Sequence, residues 1–379
     1  MLNLLIVSTF VAASFSGKVP THSPTKRPAK APTKSSTTSG YLYAQTNDAT
    51  ANSILVYTRT NGYLSNKRSF STGGQGVASP GGLANQGAIA ISADHKFLVT
   101  VNAGSNQITA FSIGTDGGLV KTSIVGSEGT FPVSVTIYNG IVFVLNQGLN
   151  SVVGNIAGFS LSSAGILYFI PGSTQTLSAS TQTTLSQITP IQISFDPTGK
   201  WLAVTEKGTS LIDVYGVSSG GIPSAPVSSP SSGKAPLGFA IDSFGHVIVS
   251  EAATSAASSY SVDSTGKATA ISASVLNGGI AACWLALSTN QKYAYTANAA
   301  SNTISSYQLT TSGQLYLYLD TAALTNLHPK DLVVTSDGFL YVLNSISQDI
   351  QVFKEQAGSL QWVQTVTGLP LGPTGLAGW

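Results

Sequence analysis

One strand-sized motif recurs seven times along this chain, and that recurrence restricts the available folds more than any other feature. Each copy is an apolar, alternating segment closed by Asn or Glu, at Asn47, Asn102, Asn146, Glu206, Glu251, Asn298 and Asn344. A short turn of Gly, Ser, Thr or Asn follows, then a segment centred on an aromatic residue, then Gly-x-Leu or a relative that opens a third. The spacing averages about 50 residues, which suits a propeller blade and is too long for leucine-rich or ankyrin units. Six copies are preceded by a further segment ending in a tight turn, such as Ser92-Ala-Asp-His-Lys96 or Asp196-Pro-Thr-Gly-Lys200. The first copy has no such predecessor, and Pro373-Thr-Gly-Leu-Ala-Gly-Trp379 runs past the last repeat with nothing left to pair with. The pattern predicts an all-β fold, a seven-bladed β-propeller with four antiparallel strands per blade. In this reading the C-terminal strand joins the N-terminal blade and closes the ring, which removes exposed sheet edges.

Composition agrees with that architecture and divides the chain. Only 8% of the 379 residues are charged, 39 are Gly, and few segments show helical periodicity. Residues 2–13 form an apolar run too short to span a bilayer, followed by the small residues Ser14 and Ser16, so residues 1–17 read as a secretory signal. Residues 18–40 are rich in Thr, Pro, Lys and Ser and lack the apolar side chains that offset ordering entropy; they read as a disordered, O-glycosylated spacer. The propeller is assigned to residues 41–379. Five of the seventeen basic residues lie before residue 40, which leaves twelve against fifteen acidic ones on the propeller. No basic stripe remains there, which argues against nucleic-acid binding. No later stretch is apolar for long enough to cross a membrane as a helix. The expectation is a secreted, extracellular, monomeric protein. Its single cysteine, Cys283, leaves stability to a large core and to ring closure rather than to disulfides.

With the repeats in register, three stretches carry a wider likeness: Phe97-Leu-Val-Thr-Val-Asn-Ala-Gly-Ser-Asn-Gln-Ile-Thr-Ala-Phe111, Val204-Thr-Glu-Lys-Gly-Thr-Ser-Leu-Ile-Asp-Val-Tyr215, and Ala282-Cys-Trp-Leu-Ala-Leu-Ser288 followed by Tyr293-Ala-Tyr-Thr-Ala-Asn298. Through them the chain resembles, over residues 41–379, the lactonase-like seven-bladed propellers with YVTN-type repeats. That family includes 6-phosphogluconolactonases and the carboxymuconate-lactonising cyclases. The resemblance implies a small lactone or carboxylate substrate, whereas the fold by itself hosts many unrelated activities.

Candidate chemistry concentrates where inner strands begin and second strands end, since these face the channel mouth. His328 stands at an inner-strand start, where an imidazole can move protons near neutral pH, as lactone opening requires. The bland reading is a histidine bonded to a loop carbonyl. Glu206 and Glu251 fill, on adjacent blades, the place that Asn holds in the other five. They read as an acid/base pair, as oxygen ligands for a divalent cation with Asn146 or Asn298, or as caps on the turns of their own blades. No cofactor is firmly implied. Only two arginines, Arg59 and Arg68, lie in the propeller, both in outer segments of the first blade, so the phosphorylated or tricarboxylate substrates of the relatives lack bidentate partners. Lys207, Lys234 and Lys330 substitute for them in part. Cys283 reads as a core residue, and Gly73–Gly82 as a flexible loop beside the channel. The competing reading is a non-catalytic extracellular propeller that binds a protein or glycan through its loops.

Overall fold

The computed structural model describes residues 38–78, 83–149, 152–178 and 188–379. The signal expected over residues 1–17, and nearly all of the spacer, lie outside them. Among the described residues no helix is long and apolar enough to cross a membrane.

Seven antiparallel sheets follow one another along the chain, each ordered from an innermost to an outermost strand. Blade 1 contains Ser39–Gln45, Ser53–Thr60 and Tyr63–Ser71, and its innermost strand is the C-terminal Thr374–Gly378. Tyr43 pairs with Ala377, so the two ends of the chain share one sheet. The first strand begins at Ser39. Innermost strands of blades 2 to 7 are Ile89–Ile91, Pro132–Tyr138, Pro190–Phe195, Pro236–Ile241, Ala282–Leu287 and Pro329–Thr335. Blade 3 adds a short fifth strand, Gln175–Thr176, beside its third strand.

Period-two alternation of apolar residues on the second and third strands buries both faces of each sheet, because every blade packs against two others. Phe143, Tyr295 and Tyr341 occupy the third place of their second strands, Tyr43 holds the matching place in blade 1, and all four are fully buried. Arg59 reinforces the closure. Its guanidinium bonds both carboxylate oxygens of Asp337 at 3.0 Å, the Tyr341 hydroxyl at 3.1 Å and the backbone oxygen of Trp379. Blade 1, blade 7 and the C-terminus are thereby joined by one buried cation.

Two backbone features recur at the innermost strands. Each strand is entered through a residue in the left-handed region: Gly87, Phe131, Thr189, Ala235, Ala281, His328 and Gly372, with φ between +42° and +74°. In blades 3 to 7 the register then slips at the second residue of the strand, at Val133, Ile191, Leu237, Cys283 and Lys330. Four of these are apolar and one is a lysine, and all five are buried.

The described part of the connection after blade 1 is pinned rather than loose. Gly76 N–H donates to the Asp48 carbonyl, Val77 N–H to Asn47 Oδ1, and Gly104 N–H to the Gln75 carbonyl. Backbone amides without ladder partners find carbonyls in the neighbouring turns, which is why this glycine-rich stretch holds a fixed course. Residues 79–82 lie outside the described residues.

Candidate functional site

Asn47 proves to be one residue out of register. Thr46 lies opposite Ser53, donating its N–H to the Ser53 carbonyl at 2.9 Å, and so takes the place that Asn102 and Asn146 hold on their blades. Asn47 itself turns left-handed at φ +54°.

The recurring Asn side chains are clamps at the ends of their second strands. Asn102 donates to Thr109 at 2.9 Å and accepts from Asn52 and Thr72, while Asn298 donates to Thr303 and Ser305 and accepts from Asn277. Asn146 donates to the Ser127 carbonyl and to Asn155. Each clamp ties the end of the second strand to the third strand and to the connection that follows the preceding blade.

Glu251 does the same work with different partners. Its carboxylate accepts from Gly233 N–H at 2.7 Å and from the hydroxyls of Ser258, Ser274 and Ser231 at 2.5, 2.7 and 3.3 Å. All four neighbours donate to it, and a carboxylate can accept from all of them at once. A Cβ on Gly233 would strike this carboxylate, so the turn there requires glycine. Glu206 accepts from Thr209 Oγ1 at 2.6 Å and from Ser178 Oγ at 3.5 Å. Both glutamates are fully buried. Among the described residues no group of three or more His, Cys, Asp and Glu side chains gathers as metal ligands would.

His328 stands apart. Its left-handed backbone is met by Phe, Thr, Ala and Gly at the equivalent entries, so the conformation does not demand an imidazole. Its amide donates to Asn302 Oδ1 at 2.8 Å, and its Nδ1 lies 2.8 Å from Ser345 Oγ. The Ser345 hydroxyl also lies 3.5 Å from the His328 carbonyl, to which it can donate while its lone pair accepts Nδ1–H. In the tautomer whose Nδ1–H donates to Ser345, Nε2 is the basic nitrogen. Burial, reinforced by the nearby Lys330 charge, lowers the His328 pKa below its usual 6.5, so the ring is neutral at pH 7.

Beneath His328 lies a cluster that the sequence had marked only faintly. The Trp284 ring meets the imidazole edge-on at 6.1 Å, and Lys330 Nζ lies 5.9 Å from the centre of the same indole. Burial brings the Lys330 pKa down to about 7, against the pull of Asp331. Burial also raises Asp331 to about 7, although Leu376 N–H and Leu332 N–H each donate to it. The Cys283 thiol is pushed up to about 12 by burial and is inert as a nucleophile at neutral pH; Lys207 and Lys330 both act on it electrostatically. Lys234, by contrast, is exposed and remote in sequence from this cluster. The signal in the sequence was Lys330-Asp331 after Pro329, where the other Pro-initiated inner strands continue Val-Ser, Ile-Gln and Leu-Gly.

The channel floor is built from an unforeseen element, the segment Leu83–Ala88. Gln86 exchanges both amide hydrogen bonds with the Leu285 backbone, donating at 2.8 Å and accepting at 3.2 Å, and Asn85 O accepts from Trp284 Nε1 at 2.7 Å. Asn85 also donates to the Val133 carbonyl and accepts from Thr374 Oγ1. Residues next to blade 2 thus bond blades 1, 3 and 6 across the axis. A Cβ on Gly238 of blade 5 would collide with Gln86 Oε1, so that blade also closes on the plug. Around the mouth, Ile280, Leu327 and Leu371 are 61%, 54% and 47% exposed, each just before a left-handed entry.

Together these features define a closed seven-bladed propeller with a plugged channel and one histidine-lysine cluster at the mouth. The family model for the lactonase, 7-bladed beta-propeller, matches residues 36–155 and 267–372, and the chain belongs to that family. Among solved structures it is similar to the periplasmic gluconolactonase of Pseudomonas aeruginosa, at 17% identity and a TM-score of 0.71, covering 90% of this chain and 99% of that one. A candidate 6-phosphogluconolactonase of Bacteroides fragilis shares 18% identity with a TM-score of 0.65, covering 90% and 98%. A functionally unknown protein of Desulfotomaculum acetoxidans shares 13% with a TM-score of 0.69, covering 88% and 98%. At these identities the likeness is one of fold. No curated protein matches the chain.

Proposed function

We propose that this protein hydrolyses a small lactone at the His328 end of its channel, with His328 as the proton-transfer group. One observation carries the reading: a neutral, half-buried imidazole whose Nδ1 is held by Ser345 sits beside an indole and a buried lysine that occupies an otherwise apolar position. In this mechanism Nε2 takes a proton from water as its oxygen attacks the lactone carbonyl. The ring C–O bond then breaks, and the imidazolium returns the proton to the departing alkoxide. Lys330 and Lys207 supply positive potential toward the oxyanion and the product carboxylate, and Trp284 with the apolar rim receives the ring. The cationic charge comes from lysines rather than a bidentate arginine, which favours an unphosphorylated substrate. Glu206 and Glu251 are left as structural clamps.

The test is turnover of a panel of γ- and δ-lactones by the purified protein beside His328→Ala. Loss of roughly a hundredfold or more in the variant supports the proposal. Equal rates, or no turnover of any lactone by the wild type, overturn it in favour of the non-catalytic binding propeller.

A further inference from the structure

Exposed aliphatic side chains collect over blades 6 and 7 at the His328 end of the channel. Within a blade, the start of the innermost strand, the end of the second, the start of the third and the end of the outermost lie in one row, as Ala282, Asn298, Thr303 and Leu324 do in blade 6. His328 stands at the same end, because it immediately precedes Pro329, which opens the inner strand of blade 7 opposite Asn344. Leu276 closes the outermost strand of blade 5, and Ile280 precedes the left-handed entry to blade 6 at Ala281. Leu324 and Leu327 repeat that pair one blade further on, before His328. All four are more than half exposed, Leu324 at 73%, and so is Ile346.

The turn at residues 299–302 lies between these two connections and is tied to both. Ala300 N–H donates to the Ile280 carbonyl at 3.2 Å, and Ile280 N–H to Ser301 Oγ at 3.0 Å. On the other side Thr325 N–H donates to the Asn302 carbonyl at 2.9 Å, and His328 N–H to Asn302 Oδ1 at 2.8 Å. The side chains of Ala299, Ala300 and Ser301 are small, so larger aliphatic residues flank a low strip that crosses blade 6 from His328 toward the rim. Ile346 sits beside Leu327, since Ser347 donates to the Leu327 carbonyl from both its N–H and its hydroxyl at 3.4 Å. Charge is missing from this sector. Residues 276–281, 299–302, 324–329 and 345–348 contain no Asp, Glu, Lys or Arg, whereas equivalent segments on other blades carry Asp48, Glu128, Lys207 and Lys234. A contiguous, uncharged apolar surface of this kind marks a binding surface, and this one begins at the candidate site.

We infer that the strip over blade 6 binds an alkyl chain of the substrate, so that the lactones taken here carry an alkyl substituent on the ring. The inference rests on the lactonase reading and names the substrate class within it. With the ring at His328 and Trp284, the first methylenes of the chain meet Ile280 and Leu327, and later ones reach Leu276 and Leu324.

The test is kcat/KM of the purified full chain for γ-lactones that are unsubstituted or carry a butyl, hexyl or octyl chain. An increase of about twofold to fourfold per methylene is expected, as burial of each CH₂ implies. Leu324→Ser changes an exposed position and is expected to lower the ratio of octyl-lactone to unsubstituted-lactone kcat/KM several-fold. Calorimetric titration with 2-octyltetrahydrofuran, an unreactive cyclic ether, reads the strip without turnover: saturable binding that Leu324→Ser weakens is expected. A flat chain-length series overturns the inference and leaves lactone hydrolysis standing. No turnover of any lactone, with Leu324-dependent binding of the ether, overturns the lactonase reading and supports the alkyl strip. No binding of the ether, or equal binding by wild type and variant, overturns the inference. A dimer that Leu324→Ser dissociates, without chain-length dependence, also overturns it and assigns the surface to a second copy of the chain.

Discussion

A lysine stands in blade 7 where the other bulged inner strands carry an apolar side chain. Val133, Ile191, Leu237 and Cys283 fill the bulged position on blades 3 to 6, and Lys330 fills it on blade 7. The cost of that choice has a definite pH dependence. The unfolded chain holds the Lys330 proton to about pH 10.5, whereas the folded protein releases it near 7. Below 7 both states are protonated and the fold bears the full penalty; between 7 and 10.5 the penalty recedes as pH rises. Lys330→Met is therefore expected to stabilise the protein more at about pH 6 than at about pH 10 in urea unfolding. A gain that is equal at both values, or larger at the higher one, contradicts the buried-ammonium account. His328 was legible in the sequence because it begins an inner strand. Lys330 was legible only as a spare cation, since a bulge that turns a side chain into the interior leaves no periodicity to read.

At the scale of elements, repetition made the strands visible and hid the exceptions. Six second strands end at the residues their Asn or Glu marked, because an alternating apolar run stopped by a polar clamp encodes both strand and end. The seventh ends at Gln45, two residues before Asn47, because blade 1 uses Thr46 as its clamp and Asn47 for the left-handed turn beyond. The sequence allows the two glutamates to be read as chemistry, as cation ligands or as clamps; the four donors around Glu251 come from turns and strands that no local pattern ties together. The channel plug was least legible, since Asn85 and Gln86 bond residues 199 and 289 positions away. Its contribution is measurable. Gln86→Ala leaves the Leu285 N–H and C=O unmet in the interior and is expected to cost about 1–3 kcal/mol in urea unfolding. Gly238→Ala, which drives a methyl group into Gln86, is expected to destabilise in the same direction. If both variants unfold at the wild-type midpoint, the segment does not plug the channel.

For the whole molecule, ring closure and the proposed site meet in blade 7. Its inner strand bears Lys330 and Asp331 and is entered through His328; Asp331 bonds the closing strand at Leu376, and Arg59 locks the same blade to Trp379. Breaking a buried ion pair by removing one partner costs about 3–5 kcal/mol, so Arg59→Met is expected to lower the urea midpoint by a matching amount. Deletion of residues 374–379 removes the innermost strand of blade 1 and is expected to abolish cooperative unfolding altogether. The signal expected over residues 1–17 and nearly all of the expected spacer lie outside the described residues. The measurement that tests the central claim most directly is the pH dependence of kcat/KM for lactone hydrolysis. A neutral His328 held below its ordinary pKa gives an acid limb with its midpoint below pH 6.5, and His328→Ala removes both that limb and most of the rate. An acid limb that persists unchanged in His328→Ala would contradict the account.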